Sequence, residues 1–296
     1  HILLAVILII PVSFLGYFII KKALVPVRNM SNLAKKISAE DLALRIDNIN
    51  ESGEIGELAE TFNSMIDRLE RSFFQTKQFS EDVSHELKTP LTVLKGEIDV
   101  CLKKERACEE YESTLRVLNS QVVRLSAIVD DLLILSHIEN MSSDMSEVFS
   151  LGILILEIFE EYTFYAKEKG INIILEAIDE VSIHGNSGLV RRMISNIVQN
   201  SIKFTEKGCV LISLKKEPDF FTLSISDTGS GISSENISNI FDRFYRVDKS
   251  RSSGTGGSGL GLSIVKKIAE IHGFDIDVKS EINKGTVFEI SKKGQF

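Results

Sequence analysis

The stretch Phe79–Thr92, with the sequence FSEDVSHELKTPLT, decides how the rest of the chain is organised. Apolar residues recur every three or four positions through and beyond it, which predicts an amphipathic helix: Phe79, Val83, Leu87, Leu91, Leu94, Ile98 and Leu102. His85 lies off this apolar stripe, and the carboxylate of Glu86 follows it directly. Pro90 lacks a backbone donor and should bend the helix just after the histidine. An exposed histidine beside a carboxylate on a kinked helix indicates a reactive site.

The same stretch resembles the H-box of sensor histidine kinases, a family in which this histidine accepts a phosphoryl group. The resemblance implies that His85 is the phosphoacceptor, that Glu86 is the general base, and that Thr89 places a hydrolytic water for a phosphatase reaction. The zinc-protease signature H-E-x-x-H is excluded, because its fifth position is Thr89 and the second metal-binding histidine is missing. A solvent-facing histidine without a function is the plain alternative, and the motifs further along the chain argue against it.

Composition indicates a folded protein of two or three domains. The chain has 296 residues, of which 43% are hydrophobic and 26% are charged. Its net charge of −8 argues against a general nucleic-acid surface, which needs a basic face, so we expect no nucleic-acid partner. The three cysteines lack CxxC spacing, which favours idle thiols in a reducing compartment. Because residue 1 is not methionine, we expect a longer protein whose sensing segment precedes this sequence.

Residues 1–20 predict a transmembrane helix. Ile2–Ile20 contains no charged residue and is long enough to cross the hydrocarbon core of a bilayer, whereas a signal peptide has a shorter apolar run behind a basic start. Lys21, Lys22 and Arg28 follow, and the positive-inside rule then places everything after about residue 20 in the cytoplasm. We therefore expect a protein of the inner or cell membrane.

Residues 21–74 predict two short helices joined by a polar connector. The first helix covers Ala23–Ile37, the connector Ser38–Gly53 and the second helix Gly53–Glu70, where apolar residues recur at helical spacing. This arrangement after a membrane span resembles a HAMP linker, and the run EIGELAETFNSM is a specific match to its second helix. The resemblance implies a parallel four-helix bundle in a dimer, and a generic coiled-coil stalk is the alternative.

Residues 75–140 predict a helical hairpin. A polar break at Lys103–Glu110 separates the helix of His85 from a second helix with its own apolar stripe: Leu115, Leu118, Val122, Leu125, Val129, Leu132 and Leu135. Neither stripe has a sheet to cover it, so two hairpins from two subunits would bury the stripes as a four-helix bundle. The segment resembles the dimerisation and histidine phosphotransfer domain of the family, which implies a homodimer.

Beyond the polar linker Asn140–Ser146, residues 147–296 alternate between helical and strand patterns. Helices are predicted over Leu151–Glu168, Ser187–Phe204 and Leu262–His272, and strands over Ile171–Leu175, Cys209–Lys215, Phe220–Ser226, Asp275–Ser280 and Thr286–Ser291. This alternation predicts an α/β sandwich with helices on one face of a mixed sheet. The resemblance identifies it as an ATP-binding domain of the GHKL type.

The predicted helix Ser187–Phe204 carries the first nucleotide motif. Asn196, Asn200 and Lys203 lie at i, i+4 and i+7, on one helix face, and two amides with an ammonium suit a magnesium triphosphate better than a protein core. The motif resembles the N-box of the family, which implies that Asn200 binds Mg²⁺ and that Lys203 contacts the phosphates. Many relatives have an alanine where Ser201 stands. The other residues of this helix expected at the nucleotide are Arg192, Asn196 and Phe204.

Three further motifs follow in the order found in the family. Asp227-Thr-Gly229-Ser-Gly231 comes directly after a predicted strand and resembles the G1 box, whose carboxylate accepts the amino group of adenine. Phe241–Arg246 resembles the F-box, and the glycine-rich run ending at Gly261 opens a helix and is expected to cradle phosphates. These motifs complete the expected ATP contacts: Asp227, Gly229, Gly231, Arg243, Arg246, Gly257, Gly259, Leu260, Gly261 and, in a last small glycine box, Thr286.

Two other kinds of nucleotide site are excluded. Gly254–Gly259 also satisfies the dinucleotide fingerprint G-x-G-x-x-G, but it follows the polar run RVDKSRSS instead of a hydrophobic strand, and too few residues remain for a dinucleotide-binding sheet. No G-x-x-x-x-G-K-[ST] motif occurs in the sequence, which excludes a Walker-type NTPase.

The motifs in this order imply an ATP- and Mg²⁺-dependent histidine kinase. It would phosphorylate itself on His85, pass the phosphoryl group to an aspartate of a separate response regulator, and also act as a phosphatase of that regulator. A GHKL ATPase of the chaperone or mismatch-repair kind would lack the H-box and the membrane span. A catalytically dead membrane scaffold would have lost His85, Asn200 or Asp227, and all three are present.

Overall fold

The computed structural model describes residues 12–18, 24–25, 27–28, 30–33, 35, 42, 44–46, 54–140, 147–247 and 258–294. The chain divides into two compact units, His1–Ser84 and His85–Phe296, and each is considered by itself. Of the predicted membrane span, 12–18 is described and is helical, and the rest lies outside the described residues. Within the described ranges, no helix is both long and apolar enough to cross a membrane.

Helix α1 covers Glu54–Cys101 and is a single element. The sequence predicted two helices here, one ending at Glu70 and another beginning near Gln75. The residues between them, RSFFQTK, contain neither glycine nor proline, so nothing ends the helix at this place. Pro90 lies inside α1, and its missing backbone donor does not end the helix either, since α1 continues beyond it to its last residue.

In the first unit, the polar connector is fastened to α1 by two side chains. The guanidinium of Arg45 forms an ion pair with Asp67 at 2.7 Å and a second one with Glu70. The amide of Asn63 accepts a hydrogen bond from the backbone N–H of Ile46 at 3.0 Å and donates to the carbonyl of the same residue at 3.3 Å. The connector therefore has its backbone polar groups satisfied by α1 at this point.

In the second unit, helix α2 covers Cys108–Asn140 and forms a hairpin with α1. Acidic residues in its first turn complement the positive end of the helix dipole. The apolar stripes of the hairpin are only partly covered: Leu91 is 54% exposed, Leu115 is 64% exposed and Val122 is 51% exposed. The hairpin thus presents apolar side chains that the described residues of this chain do not bury.

The remainder of the second unit is an α/β sandwich, which confirms the fold class predicted for this part. Its elements are, in chain order, β1 (Val148–Ser150), α3 (Leu151–Glu168), β2 (Ile171–Ile178), β3 (Ser182–His184), α4 (Ser187–Phe204), β4 (Gly208–Lys216), β5 (Phe220–Asp227), α5 (Ser234–Ile237), α6 (Gly261–His272), β6 (Asp275–Glu281) and β7 (Gly285–Lys293). One five-stranded sheet has the order β2-β4-β5-β7-β6. Its β2–β4 pair is parallel and its other pairs are antiparallel. Strands β1 and β3 pair separately.

Three short elements, β1, β3 and α5, were not predicted. A strand of three residues or a helix of four contains little more than one repeat of its own pattern, so hydrophobic periodicity gives no usable signal for it. Strand β7 is also longer than predicted at both ends, because Gly285 pairs with β6 and the pairing with β5 continues to Lys293.

The hydrophobic core lies between the sheet and helices α3, α4 and α6. Ile155, Ile197 and Ile264 are fully buried, one from each helix. The same core includes Leu135 and Ile138, which belong to the last turns of α2. The end of the hairpin is therefore packed into the sandwich, and the core fixes α4 in place.

Candidate active site

The region around His85 combines an exposed imidazole with the carboxylate of Glu86, which is paired with an arginine. His85 and Thr89 are exposed on α1. The hydroxyl of Thr89 donates to the backbone carbonyl of His85 at 3.1 Å, so it lies one turn away on the same face. The carboxylate of Glu86 accepts a hydrogen bond from Arg124 of α2 at 3.3 Å, and both side chains are about three quarters buried, at 25% and 21% exposure. The predicted general base is thus oriented by an arginine.

Arg124 is a residue that the sequence did not single out. Its Nε atom is buried and has no hydrogen-bond partner within the described residues. Glu86 lies 38 positions away in the chain, so the contact exists only because the hairpin folds back on itself. No local pattern marks such a residue.

Lys203 lies in a concentration of positive charge. The pKa of its ammonium is lowered by burial first, and then by the charges of Arg246, Arg124 and Lys169. Its Nζ atom also lies 5.1 Å from the ring centroid of Phe204, the exposed aromatic residue predicted to form a wall of the site. An anion bound here would offset these charges.

The ammonium group of Lys169 holds the C-terminal end of α4. Its Nζ atom donates to the carbonyls of Ile202, Lys203 and Thr205 at 2.6, 2.7 and 3.1 Å. These are carbonyls of the last turn, which have no partner within the helix, and a cation is favourable at this negative end of the helix dipole. Lys169 thereby positions the segment that carries Lys203.

The other residues of the N-box motif divide into two groups. Asn196 is 6% exposed, and its amide donates to the carbonyl of Gly261 at 3.1 Å, which fastens α4 to the first residue of α6. Asn200 is partly exposed on the same face. In the described part of the chain, no group of three or more His, Cys, Asp or Glu side chains is arranged to hold a metal ion.

Asp227 is fixed at the end of β5 by backbone donors. Its Oδ1 atom accepts hydrogen bonds from the N–H groups of Gly229 at 2.9 Å and Thr286 at 3.2 Å. Both bonds go to Oδ1. Burial raises the pKa of the Asp227 carboxyl, while these two N–H groups and the hydroxyl of Ser201 oppose the rise.

The backbone approaches α4 closely next to this carboxylate. A Cβ atom on Gly229 would lie 2.6 Å from the carbonyl oxygen of Phe204, closer than real side chains come, so only glycine fits there. Gly231 follows in the same turn, which Asn283 joins through a 2.8 Å backbone bond to Ser230. The arrangement fits a flat aromatic base that lies against the backbone with its amino group at Asp227.

Arg192 has a partner other than a phosphate in this structure. Its guanidinium is 2.5 Å from Oδ1 of Asp131 on α2, and the hydroxyl of Ser258 donates to Oδ2 of the same carboxylate at 3.0 Å. Asp131 is 6% exposed. The network joins α2, α4 and the end of the glycine-rich run. The phosphate contact of Arg192 stays a prediction.

The glycine-rich run is described from Ser258 onward, so Gly257 lies outside the described residues. Gly259 has a φ of 72°, and a Cβ atom there would lie 2.8 Å from the backbone of Phe244, so glycine is required by both conformation and space. Leu260 is buried, and its N–H donates to the hydroxyl of Ser258 at 3.2 Å. Arg243 and Arg246 lie just before residues 248–257, which are outside the described residues.

The structure brings two of the predicted groups together. One consists of Asp227, Gly229 and Thr286 at the end of β5, and the other of Lys203 and Arg246 with Asn200 on the same helix face. Asn196 and Gly261 contact each other and hold the frame of the site. The sequence missed Arg124 and Lys169, whose charges act on Lys203, and Asp131, which binds Arg192.

Comparison with known proteins matches three family models to successive parts of the chain. Residues 18–71 match the HAMP domain, residues 75–140 the His Kinase A (phospho-acceptor) domain, and residues 185–295 the "Histidine kinase-, DNA gyrase B-, and HSP90-like ATPase" family. Among curated proteins, sensor protein IrlS of Burkholderia pseudomallei is 32% identical over 97% of this chain and 62% of its own length. The probable sensor protein PcoS of Escherichia coli is 34% identical over 94% of this chain and 59% of its own length. The chain thus spans about three fifths of these relatives.

Solved structures show the same architecture. Full-length ShkA in complex with AMPPNP is 26% identical, with a TM-score of 0.54 over 73% of this chain and 45% of that one. The Acinetobacter baumannii histidine kinase AdeS is 22% identical, with a TM-score of 0.57 over 72% of this chain and 98% of that one, and it supports the fold alone.

Proposed function

The chain belongs to the sensor histidine kinases of two-component systems, and we propose from this membership that it phosphorylates itself on His85 with ATP. The phosphoryl group then passes to an aspartate of a response regulator, and the same protein dephosphorylates that regulator. The domain limits that go with this proposal are 1–20, 21–74, 75–140 and 147–296.

The positive charge around Lys203 is the observation that carries the proposal. Lys203 is half-buried near Arg246, Arg124 and Lys169, and burial together with their charges lowers its pKa. Like charges near one another repel, and the triphosphate of ATP would offset this repulsion. Asp227 supplies the adenine end of the site, and ShkA, whose structure is similar, was crystallised with AMPPNP.

The residues proposed to bind the nucleotide follow from this placement. Asp227 accepts the amino group of adenine, and Asn200 holds Mg²⁺, which offsets charge on the phosphates when it is bound. Arg192 reaches a phosphate only by leaving Asp131. The remaining proposed contacts are Asn196, Lys203, Phe204, Gly229, Gly231, Arg243, Arg246, Gly257, Gly259, Leu260, Gly261 and Thr286.

Transfer to the protein needs a nucleophile, a base and cations. A ring nitrogen of His85 attacks the γ-phosphorus in line, the bond from that phosphorus to the bridging oxygen breaks, and ADP leaves. Glu86, oriented by Arg124, takes the proton from the other ring nitrogen and so raises the nucleophilicity of the imidazole. Lys203 and the neighbouring arginines stabilise the charge on the transferring group.

The phosphatase reaction uses Thr89. Its hydroxyl donates to the helix backbone and keeps its lone pairs for a water molecule on the face of His85. That water attacks the aspartyl phosphate of the regulator when the regulator is bound against α1.

Dimerisation and membrane attachment complete the proposal. The exposed apolar stripes of α1 and α2 are buried when two hairpins associate as a four-helix bundle. The uncharged run Ile2–Ile20 anchors the chain in the inner or cell membrane, with the residues after it in the cytoplasm.

The test is incubation of the full chain with γ-labelled ATP, followed by acid treatment of the labelled protein. We expect acid-labile label that His85→Gln abolishes without weakening ATP binding, because the acceptor imidazole lies outside the nucleotide pocket. His137→Gln is the matched control, since His137 is the exposed histidine of α2. Acid-stable label, or label retained by His85→Gln, would refute the assignment.

A further inference from the structure

The carbonyl groups at the end of α4 are divided between two donors. A helix leaves its last carbonyls without a partner inside the helix. The carbonyl of Phe204 accepts the backbone N–H of Ser230 at 3.2 Å. The ammonium of Lys169 takes the carbonyls on either side of it, at 2.6, 2.7 and 3.1 Å, which belong to Ile202, Lys203 and Thr205. An ammonium has three protons to donate, so this division uses all of them.

Lys169 reaches these carbonyls from a fixed point of the backbone. It is the C-cap of α3, and its own N–H donates to carbonyls of the preceding turn. Gly170 follows in a left-handed conformation, with a φ of 75°, and leads the chain into β2. The first residue of β2, Ile171, pairs with Gly208 at the start of β4. The connection from α3 to β2 and the connection from α4 to β4 therefore lie side by side, and Lys169 joins them.

The bond between Ser230 and Phe204 fixes one side of the turn that follows β5. On the other side, the carbonyl of Ser230 accepts the N–H of Asn283 at 2.8 Å. The turn is tightly enclosed: a Cβ atom on Gly229 would lie 2.6 Å from the carbonyl oxygen of Phe204, and one on Gly231 would clash with the backbone between β6 and β7. A change in the direction of the Phe204 carbonyl must therefore move the turn.

We propose that Lys169 is a positioning residue for the nucleotide, which acts through the end of α4 without touching the ligand. By occupying the other carbonyls of the last turn, its ammonium keeps the carbonyl of Phe204 directed at Ser230. The gap between α4 and the turn after β5 is set in this way. This inference rests on the proposed function, because the base of ATP is proposed to lie against this turn.

A purely electrostatic role is the competing explanation. The ammonium of Lys169 also adds a positive charge beside the backbone of Lys203, and losing a charge would weaken the binding of an anion. The two explanations differ in their consequences. An effect of charge is screened by salt and is preserved when another cation replaces the lysine, whereas an effect of position is neither.

The first experiment titrates the full chain and Lys169→Met with ATP at low and at high salt. Lys169 is exposed, so the substitution leaves the core intact. We expect Lys169→Met to bind ATP about 2- to 30-fold more weakly, the range for substitutions that do not contact the ligand. The factor should be the same at both salt concentrations. A factor that disappears at high salt overturns the inference.

Lys169→Arg keeps the charge and changes the geometry. The three carbonyls converge on one nitrogen atom, Nζ, whereas no nitrogen of a guanidinium carries three protons. The arginine variant should therefore still bind ATP more weakly than the wild-type chain. Full recovery of the affinity overturns the inference.

Lys167→Met is the matched control. Lys167 is an exposed lysine in the last turn of the same helix, so this variant removes an equal charge two residues away. It should leave the affinity for ATP unchanged. A loss as large as that of Lys169→Met would show that the carbonyl contacts do not matter and would overturn the inference.

Hydrogen exchange of the nucleotide-free protein reports on the turn itself. In Lys169→Met the N–H of Ser230 should exchange faster, while the paired N–H groups of β4 and β5 keep their wild-type protection. Unchanged exchange at Ser230, or faster exchange throughout the sandwich, overturns the inference. A wild-type chain that binds neither ATP nor AMPPNP overturns the proposed function itself, whereas normal ATP binding by Lys169→Met overturns this inference alone.

Discussion

Replacing Arg192 by alanine tests the ion pair that joins α2 to α4. The variant leaves the carboxylate of Asp131, whose side chain is 8% exposed, with the hydroxyl of Ser258 as its remaining partner among the described residues. Removing one partner of a fully buried pair costs about 3–5 kcal/mol. Arg192 is 39% exposed, so water already screens part of the attraction. We therefore expect a loss of about 2 kcal/mol in the free energy of unfolding.

The neighbouring arginine provides the control. Arg191 pairs with Glu157 and Glu161, and all three side chains are exposed by more than a third, at 37%, 53% and 61%. Arg191→Ala should cost only about 0.5 kcal/mol, as surface ion pairs do. In urea unfolding followed by circular dichroism, Arg192→Ala should have a clearly lower free energy of unfolding than Arg191→Ala. In melting temperature the difference should reach several degrees, since about 1 kcal/mol corresponds to about 2–4 °C in a unit of this size.

A second substitution tests why Arg192→Ala loses stability. If the cost comes from an uncompensated buried charge, Asp131→Asn should restore part of the stability of Arg192→Ala. Equal losses for Arg191→Ala and Arg192→Ala, or a double variant no more stable than Arg192→Ala, would refute the reasoning. Titration of Arg192→Ala with ATP reports separately on the proposed phosphate contact.

Three further predictions concern the metal ligand, the phosphatase and pH. Asn200→Asp should strongly reduce the kinase rate by placing an anion beside the triphosphate; a normal rate with Mg²⁺ would exclude the ligand role. Thr89→Ala should keep autophosphorylation and slow regulator dephosphorylation about 10²-fold, whereas Thr92→Ala, which removes a hydroxyl bonded to the helix one turn on, should do neither. Burial lowers the pKa of His272 below 6.5, and its Nε2 atom accepts the N–H of Asn186 at 3.1 Å. The folded state therefore resists protonation of His272, so the urea midpoint should fall as pH drops below 6.5. His272→Gln should make the midpoint less dependent on pH in this range.

Some elements could be predicted because their signals are local. Helix α4 has the predicted bounds, since Asn186 caps its start by accepting the N–H of Leu189 at 3.0 Å and its apolar face repeats for the whole length. The boundary predicted between two helices at residues 70–75 was wrong. That boundary came from matching motifs of two families, and no residue there breaks a helix.

The missed residues of the candidate site have no local signal. Lys169 reaches carbonyls 33 to 36 positions away, and Ser258 reaches Asp131 across 127 positions. A lysine at the end of a helix and an aspartate in the run DDLL look like ordinary surface residues in the sequence. Motifs mark residues whose chemistry repeats among relatives, whereas these contacts follow from how two helices and a sheet meet.

The burial of Leu135 and Ile138 in the sandwich core affects how parts of this chain can be recombined with parts of other proteins. Both side chains are 3% exposed, and they come from α2, upstream of the polar linker Asn140–Ser146. A fragment beginning at residue 147 would expose the apolar surface that these side chains cover, at a cost of about 1.5–3 kcal/mol for each. It would also lose Asp131, which binds Arg192. The α/β sandwich is therefore not an independent unit when it is cut at residue 147, and chimeric proteins should be joined upstream of Asp131, within the hairpin.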